Sequence, residues 1–436
     1  MGIVECNRLK RMGALLSTIC PNSEDRKLKN KAVPEVRPSP KSAKQIQLEP
    51  PILAEEDITT QLRVLKTDAF ADGRSTDPGT STSPAQPLKA SKSDDDLSQS
   101  RRQNGCPTFT CNDFEFHKVL GEGAFGKVYL ANLKNKPELS FAIKVIQKCR
   151  FTESSAESAQ NEKRVLALIS DESSRFLTKL YCTFQTAHNL YFCLEYMPGG
   201  TLRKYLDNLG KFSSQMAAFL GAQLVLGLSF LHERLNIVHR DLKLENVLVD
   251  NEGYIKFTDF GLSKIGKIES YTFCGTLNYL APELIKHQPY DRMVDFWMLG
   301  CMLYEMLVGI APFDHRNKKT LLDMICAGMF KASAISDPVA RDLISRLLSI
   351  NPITRLGANG SDEVMKHPFF KDIDFGAMAN GNLESPLKTY VRSVSMSDKI
   401  IKVENESGSV HAEKDLFVDD FSWVKRKTIV GSAIDY

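Results

Sequence analysis

The stretch His239-Arg240-Asp241-Leu242-Lys243-Leu244-Glu245-Asn246, with Asp259-Phe260-Gly261 beginning thirteen residues after Asn246, constrains this chain more than any other feature. It gathers one candidate base, Asp241, and two candidate cation ligands, Asn246 and Asp259, onto two short loops. A fold that carries it must bring both loops to one place. Between them, Asp250-Asn251-Glu252-Gly253 reads as a turn joining two short strands that deliver Asp259. A charged octet alone is compatible with a solvated loop; the second motif at this spacing argues against that.

Upstream lies Gly121-Glu122-Gly123-Ala124-Phe125-Gly126-Lys127-Val128. Its spacing is shared by dinucleotide-binding turns, which open a helix at this point. Here Phe114 to Leu120 alternates like a strand and Val128-Tyr129-Leu130 resumes as another, so the glycines belong to a strand–turn–strand flap. Such a flap lets backbone N–H groups approach phosphates. Phe141-Ala142-Ile143-Lys144-Val145 is an apolar strand with one lysine, a residue that in strands is usually an edge charge. From Glu153 to Ile169 the apolar positions recur at helical spacing.

In this order the motifs resemble the signature of protein kinases. The resemblance implies an α+β fold of two lobes, a small mainly-β lobe with one helix and a larger mainly-α lobe. Nucleotide would lie between them, and the lobes would meet at Glu195-Tyr196-Met197-Pro198-Gly199-Gly200. It further implies ATP and Mg2+ as cofactors, with Asp241 orienting the acceptor hydroxyl, Lys243 and Thr276 beside it, and Asn246 and Asp259 on magnesium. Nucleotide contacts are expected from Leu120, Gly121, Gly123, Gly126, Val128, Ala142, Lys144 and Glu245, and from backbone groups near Glu195 and Met197. Glu162 is the expected partner of Lys144, with Glu153 and Glu157 as alternatives on the same helix. Asp295 is expected to brace the catalytic-loop backbone, and Glu283 of Ala281-Pro282-Glu283 to pair with Arg355.

Lys243 two residues after Asp241, and Thr276 before Ala281, are similar to serine/threonine kinases. The run Tyr271-Thr272-Phe273-Cys274-Gly275-Thr276-Leu277-Asn278-Tyr279-Leu280-Ala281-Pro282-Glu283 resembles the AGC group, named for protein kinases A, G and C. Within that group the nearest likeness is to the ribosomal S6, serum/glucocorticoid-regulated and protein kinase B families. Leu277 and Asn278 depart from the group's Pro and Glu. Near the C-terminus, Phe417-Val418-Asp419-Asp420-Phe421-Ser422-Trp423 resembles the group's hydrophobic motif with one residue inserted, unless Val418 takes the first apolar slot. By this resemblance Thr272 is the expected activating phosphosite, with Arg240 as its partner and Ser263, Ser270 or Thr276 as alternatives. Ser422 is a second expected phosphosite that strengthens docking of the tail on the small lobe. An upstream activating kinase is implied.

The resemblance also implies protein substrates that are basic around the acceptor, read by carboxylates. Glu245 and Glu305 remain for that task, whereas Thr201 and Asn278 stand where relatives carry acids, so the preference is expected to be weakened or altered. The competing class is a pseudokinase scaffold that binds nucleotide without turnover; Lys144, Glu162, Asp241, Asn246 and Asp259 all being present argues for catalysis.

Three regions follow. Residues 1–113 hold about half of the prolines, Ser-rich stretches and the acidic cluster Asp94-Asp95-Asp96, and are expected to be mostly disordered, with a short helix over Ile52 to Phe70 as an alternative. Residues 114–370 are the expected kinase domain, and 371–436 a polar C-terminal extension ending in the apolar patch. A formal charge of +3 spread along the chain does not point to nucleic acid. Ten cysteines without a C-x-x-C pair suit a reducing compartment, so the expected location is cytoplasmic, with the nucleus as a second compartment, and the expected state is a monomer. No apolar run is expected to span a membrane. Met1-Gly2 raises N-myristoylation, but Cys6 stands where that pattern wants Ser or Thr, so membrane association is not expected.

Overall fold

A computed structural model describes residues 109–123, 126–150, 153–172, 174–266, 275–395, 418 and 420–424. Met1-Gly2, the stretch Ile52 to Phe70, the expected phosphosite Thr272, and Phe417 lie outside the described residues.

The small lobe is built on one antiparallel sheet. Strands β1 (Phe114–Gly123), β2 (Gly126–Leu133), β3 (Lys136–Gln147), β4 (Leu180–Gln185) and β5 (Asn189–Glu195) are joined by a sixth from the far end of the chain, Trp423–Val424, in the order β1-β2-β3-β5-β4 and then the tail strand. Side chains alternate across a strand, so the sheet sorts its residues into two faces. Phe141, Ile143, Tyr191 and Cys193 point to an outer aromatic cluster with Phe114, Tyr181 and Phe184. Ala142, Phe192 and Leu194 face inward to the main core. Lys144 is opposite Phe192 in the β3–β5 register and Val128 is opposite Lys144 in β2–β3, which puts both on that inner face. Phe109 is buried against Phe114, so the packed domain begins a few residues before the expected boundary at 114.

Helix α1 (Glu153–Glu172) lies on the inner face, burying Ala159, Val165, Leu166 and Ile169. It is the one helix that the 3.6-residue spacing of apolar positions predicts for this lobe.

The large lobe is helical: α2 (Leu202–Leu209), α3 (Ser214–Ser229), α4 (Pro282–Ile285), α5 (Met293–Val308), α6 (Lys318–Cys326), α7 (Pro338–Leu347), α8 (Ser361–Met365), α9 (Phe375–Asn380) and α10 (Lys388–Ser395). Starts are set by side-chain caps. Ser213 accepts the Met216 N–H, and Asp337 accepts the Val339 and Ala340 N–H groups with Pro338 in the first turn. Helix α5 ends at Gly309, whose φ of 92° suits glycine. Helices α3 and α5 are apolar nearly all round because they pack against each other at the centre. The stretch Ser214–Arg234 is in fact long and apolar enough to cross a membrane, contrary to expectation, but it is 72% buried inside the lobe, as a core helix is.

Two short strand pairs frame the cleft side of this lobe. Val247–Val249 pairs with Ile255–Phe257 around the expected turn, and Ile237–Val238 with Lys264–Ile265. The segment after 370 is not uniformly polar in its packing: Met378, Leu387 and Val391 are buried on the large lobe. At the far end Val418 and Phe421 are buried on the small lobe, so Val418 takes the first apolar slot of the tail. The Val418 carbonyl accepts from Gln185 Nε2 at 2.8 Å, and Thr183 Oγ1 donates to the Phe421 carbonyl.

Candidate active site

The loop after Ile237–Val238 and the loop that carries Asp259 each hold a non-glycine residue in left-handed backbone. Arg240 has φ 70° and Asp259 φ 60°, left-handed values that non-glycine residues seldom adopt. Asp295, fully buried on α5, accepts the His239 and Arg240 N–H groups at 2.8 Å each, and His232 Nε2 lies 2.8 Å from the same carboxylate. Burial opposes its charge, but the His232 contact and these donors hold the Asp295 carboxyl below its ordinary range. The His239 ring is buried between Phe257 and Phe260, and that burial pushes its pKa down despite Asp295, Asp241 and Asp259 nearby. Its Nε2 faces the Thr258 carbonyl at 3.3 Å and its Nδ1 accepts the Asp241 N–H at 3.4 Å, an arrangement that a neutral ring satisfies.

At Asp241 its own loop and the segment carrying Thr276 meet. Its Oδ1 accepts from Thr276 twice, from the N–H at 3.1 Å and the hydroxyl at 3.0 Å. Its Oδ2 accepts from Lys243 Nζ at 2.7 Å and from Asn246 Nδ2 at 3.0 Å. Lys243 Nζ also donates to Thr276 Oγ1 at 2.8 Å. The carboxylate is thereby fixed in orientation while it stays at the cleft.

Across the cleft, Lys144 Nζ lies 2.6 Å from Glu162 Oε1 and 3.2 Å from Asp259 Oδ1. Among the described side chains of that helix it is Glu162, and not Glu157, that pairs with Lys144. Burial works against charge at both ends of the Lys144–Glu162 pair and lifts the Glu162 carboxyl. Even so, the carboxylates beside Lys144 outweigh the burial and hold its ammonium above the ordinary range, so the proton stays on the lysine. The Lys144 charge in turn holds the Asp259 carboxyl below the usual range. Two further bonds tie α1 to the Asp259 loop: Ser158 Oγ donates to the Gly261 carbonyl at 3.2 Å, and Asn161 Nδ2 to the Ser263 carbonyl at 2.7 Å. Sequence reading missed both, since polar residues beside Glu162 look like an ordinary solvated helix face.

The expected nucleotide contacts line the inner face of the small lobe. Leu120 and Val128 pack on the main core, and Ala142 is buried beside them. Gly121 pairs with Val128 across β1–β2. Gly123 lies opposite Gly126 at the tip. Gly126 must be glycine for a packing reason, since a Cβ there would sit 1.8 Å from the Val145 carbonyl oxygen. At the lobe junction the Glu195 carboxylate is engaged elsewhere, 2.6 Å from Lys256 Nζ and accepting the Lys179 N–H, so only its backbone is left to face a nucleotide. Met197 is buried there.

Nucleotide and magnesium fit these groups. Asn246 uses its amide nitrogen on Asp241, which leaves its oxygen as a cation ligand, and Asp259 is a half-exposed carboxylate held ionised. Among the described residues no group of three or more His, Cys, Asp or Glu could hold a metal. Magnesium accepts such a sparse set, because phosphate oxygens and water complete its shell.

The supporting pairs are buried. Arg355 Nη1 and Nη2 meet the two oxygens of Glu283 at 2.7 and 3.0 Å, and both residues are inaccessible to solvent. Arg240 donates to the Leu262 carbonyl and, at 2.9 Å, to the Tyr290 hydroxyl. Ser422 is exposed on the tail beside the sheet edge.

Two carboxylates stand differently from expectation. Glu245 and Glu305 are not free. Arg203, on the first turn of α2, places Nε 2.9 Å from Glu245 Oε1 and Nη2 2.7 Å from Glu305 Oε1. Glu305 is also taken by the Tyr279 hydroxyl and is buried. Burial opposes the Arg203 charge, but Glu305 and Glu245 outweigh it and keep the guanidinium above its ordinary range. The Glu245 carboxylate, expected beside a nucleotide, is engaged through Oε1 by Arg203. Arg203 carried no signal in the sequence, where it reads as one more surface cation.

A protein kinase domain profile matches residues 114–370. Among known proteins, protein kinase C eta type of Mus musculus is 38% identical over 297 residues, 66% of this chain and 43% of that protein. Protein kinase C delta type of Homo sapiens is 40% identical over 286 residues, 65% of this chain and 41% of its own length. Protein kinase C epsilon type of Oryctolagus cuniculus is 37% identical over 300 residues, covering 67% and 40%. The chain thus spans about two fifths of the length of these relatives. Their name is one of the three from which the AGC group, resembled by the activation segment and tail, takes its letters. With a match over residues 114–370, more than half of its length, this chain belongs to the protein kinase domain family.

Proposed function

We propose that this protein transfers the γ-phosphate of ATP to serine and threonine hydroxyls of protein substrates. The observation that carries the reading is the convergence on Asp241, which Thr276, Lys243 and Asn246 orient from three sides. Phosphoryl transfer asks the protein chiefly to position groups and to stabilise charge. Asp241 orients the acceptor hydroxyl and accepts its proton. Lys243, already 2.7 Å from Asp241, faces the transferring phosphoryl with positive charge. Lys144, held by Glu162, holds phosphate oxygens, and the flap from Gly121 to Gly126 covers them. Asn246 and Asp259 hold the magnesium that accompanies ATP.

Activity is proposed to depend on phosphorylation of Thr272 by an upstream kinase. A phosphothreonine carries about −1.5 to −2 charges and can order a segment against an arginine. Arg240, directly before Asp241, supplies that charge at the loop the segment must reach. Ser422 is a second proposed switch on the docked tail.

The test is phosphate transfer from labelled ATP to matched serine, threonine and tyrosine peptides by the purified protein and by Asp241→Asn. Transfer to serine and threonine that is lost in the variant supports the reading. Nucleotide binding with no transfer above the variant would make the protein a scaffold instead.

A further inference from the structure

Beside the acceptor pocket lies a charged cluster that the phosphotransfer chemistry does not use. Glu245 is four residues beyond Asp241, on the turn Leu244–Asn246 that delivers Asn246. Tyr279, whose hydroxyl donates to Glu305, is three residues beyond Thr276, which itself grips Asp241. The pair Glu245 and Glu305 is therefore anchored to both walls of the pocket into which a substrate hydroxyl must enter. Two carboxylates so placed would attract a lysine or arginine of the substrate flanking the acceptor. Instead both are bridged by one guanidinium of this chain, that of Arg203. Arg203 is only about one fifth exposed, and a third carboxylate, Asp207, lies 3.8 Å from it on the solvent side.

We infer that Arg203 occupies from within the place a basic substrate side chain would take, so that this kinase does not select arginine through the Glu245–Glu305 pair. The inference rests on the protein kinase reading above. An incoming arginine would have to expel a tethered one, breaking two charge-assisted bonds to form two equivalent ones. It would also lose its own freedom, whereas Arg203 is held on a helix already. One cation replacing another leaves almost no net attraction, so a substrate with a neutral side chain there binds as well. Arg203 is thus a specificity-determining residue that acts by filling the subsite, not by touching the reacting atoms.

The experiment compares peptides that share one serine and carry a single arginine or alanine at each flanking position in turn, with kcat/KM measured for each. For the wild-type protein the expected arginine-to-alanine ratio stays within about threefold at every position, a difference well under the 1.4 kcal/mol that corresponds to tenfold. Arg203→Met keeps the aliphatic stem and frees the carboxylates; at one or two positions its ratio should rise to about tenfold or more, mainly through KM. Glu245→Gln leaves the buried Arg203–Glu305 contact in place and should leave the wild-type ratios unchanged. A wild-type ratio above about tenfold at any position, abolished by Glu245→Gln, would overturn the inference while leaving the kinase reading intact. That arm needs no variant at Arg203, so it decides the matter even if Arg203→Met fails to fold. Failure of every peptide to accept phosphate, at the level of Asp241→Asn, would instead overturn the kinase reading and this inference with it.

Discussion

The ring of Phe421 meets the ring of Phe192 nearly at right angles, with centroids 5.2 Å apart, and the Lys144 ammonium lies 6.0 Å from the same Phe192 centroid. One side chain of the sheet thus lies beside both the tail and Lys144. The tail strand Trp423–Val424 continues the sheet beyond β4, and Lys163 of α1, next to Glu162, donates to the Asp420 carbonyl. Docking of the tail therefore fixes the sheet and the helix between which the Lys144–Glu162 pair is held.

Removing that anchor should loosen the small lobe. Phe421→Ala creates a cavity at a fully buried site, where such truncations cost about 3–5 kcal/mol. Because the tail can detach as a whole, the loss in global stability is capped by its docking free energy. The expected outcome is a lower small-lobe melting temperature and a several-fold lower kcat with KM for peptide little changed. Differential scanning fluorimetry and steady-state kinetics check it; wild-type values for both would show that the tail is a passive addition.

Asp241→Asn and Lys144→Met separate positioning from folding. The first keeps the shape of a group oriented by Thr276 and Asn246 but removes the proton acceptor, a role worth about 10²–10⁴-fold. The second removes the charge that Glu162 and Asp259 share. Both should retain the wild-type circular dichroism spectrum and lose turnover, with Lys144→Met also weakening ATP in a nucleotide-binding titration. Near wild-type rates in either would refute the assignments.

The Glu283–Arg355 pair should matter to stability and not to chemistry. It is buried and bidentate, and breaking such a pair by removing one partner costs about 3–5 kcal/mol because the other charge is left without compensation. Glu283→Gln is expected to lower the unfolding free energy by about that amount, measured by denaturant titration, while the fraction that remains folded keeps its kcat. A stable protein with impaired kcat would reverse the assignment.

Acid should weaken the catalytic loop in two stages. His239 has a pKa below its ordinary value, so the unfolded chain binds a proton that the folded ring refuses. The stability of the neutral ring is complete above about pH 6.5, the unfolded value, and is lost as pH falls below it. Asp295 and Asp259 are also depressed, and their contributions are lost only as pH falls below about 4. Unfolding of the wild type and of His239→Gln, measured from pH 8 to 5, should differ in slope. The wild type loses more stability between pH 7 and 5, and parallel curves would disprove the neutral-histidine arrangement.

Much of the catalytic machinery was legible because its residues are adjacent in the chain or placed by local periodicity. Asp241, Lys243 and Asn246 share one short loop, and the apolar spacing from Glu153 to Ile169 marked the helix on which Glu162 was expected, with Glu153 and Glu157 as alternatives. Asp295 could be read as needing donors, since it is a carboxylate inside an apolar helix, and the resemblance to kinases implied which backbone supplies them. The bonds from Ser158 and Asn161 to the Asp259 loop were not legible. They join residues 102 and 103 positions apart, and either side chain would be as well satisfied by water in an isolated helix.

The sequence by itself determined the order of the motifs, the strand and helix periodicities and the apolar patch near the C-terminus, because local chemistry reads these directly; the two-lobed fold and the expected roles of Lys144, Asp241, Asn246 and Asp259 came from the resemblance those motifs carry. Only the tertiary structure decided that Phe421 seats the tail against Phe192 with Val418 buried in the same core, and that Arg203 closes over Glu245 and Glu305. A carboxylate looks the same in a sequence whether it awaits a substrate or already holds a cation. The difference lies in which distant side chain the fold brings within hydrogen-bonding reach.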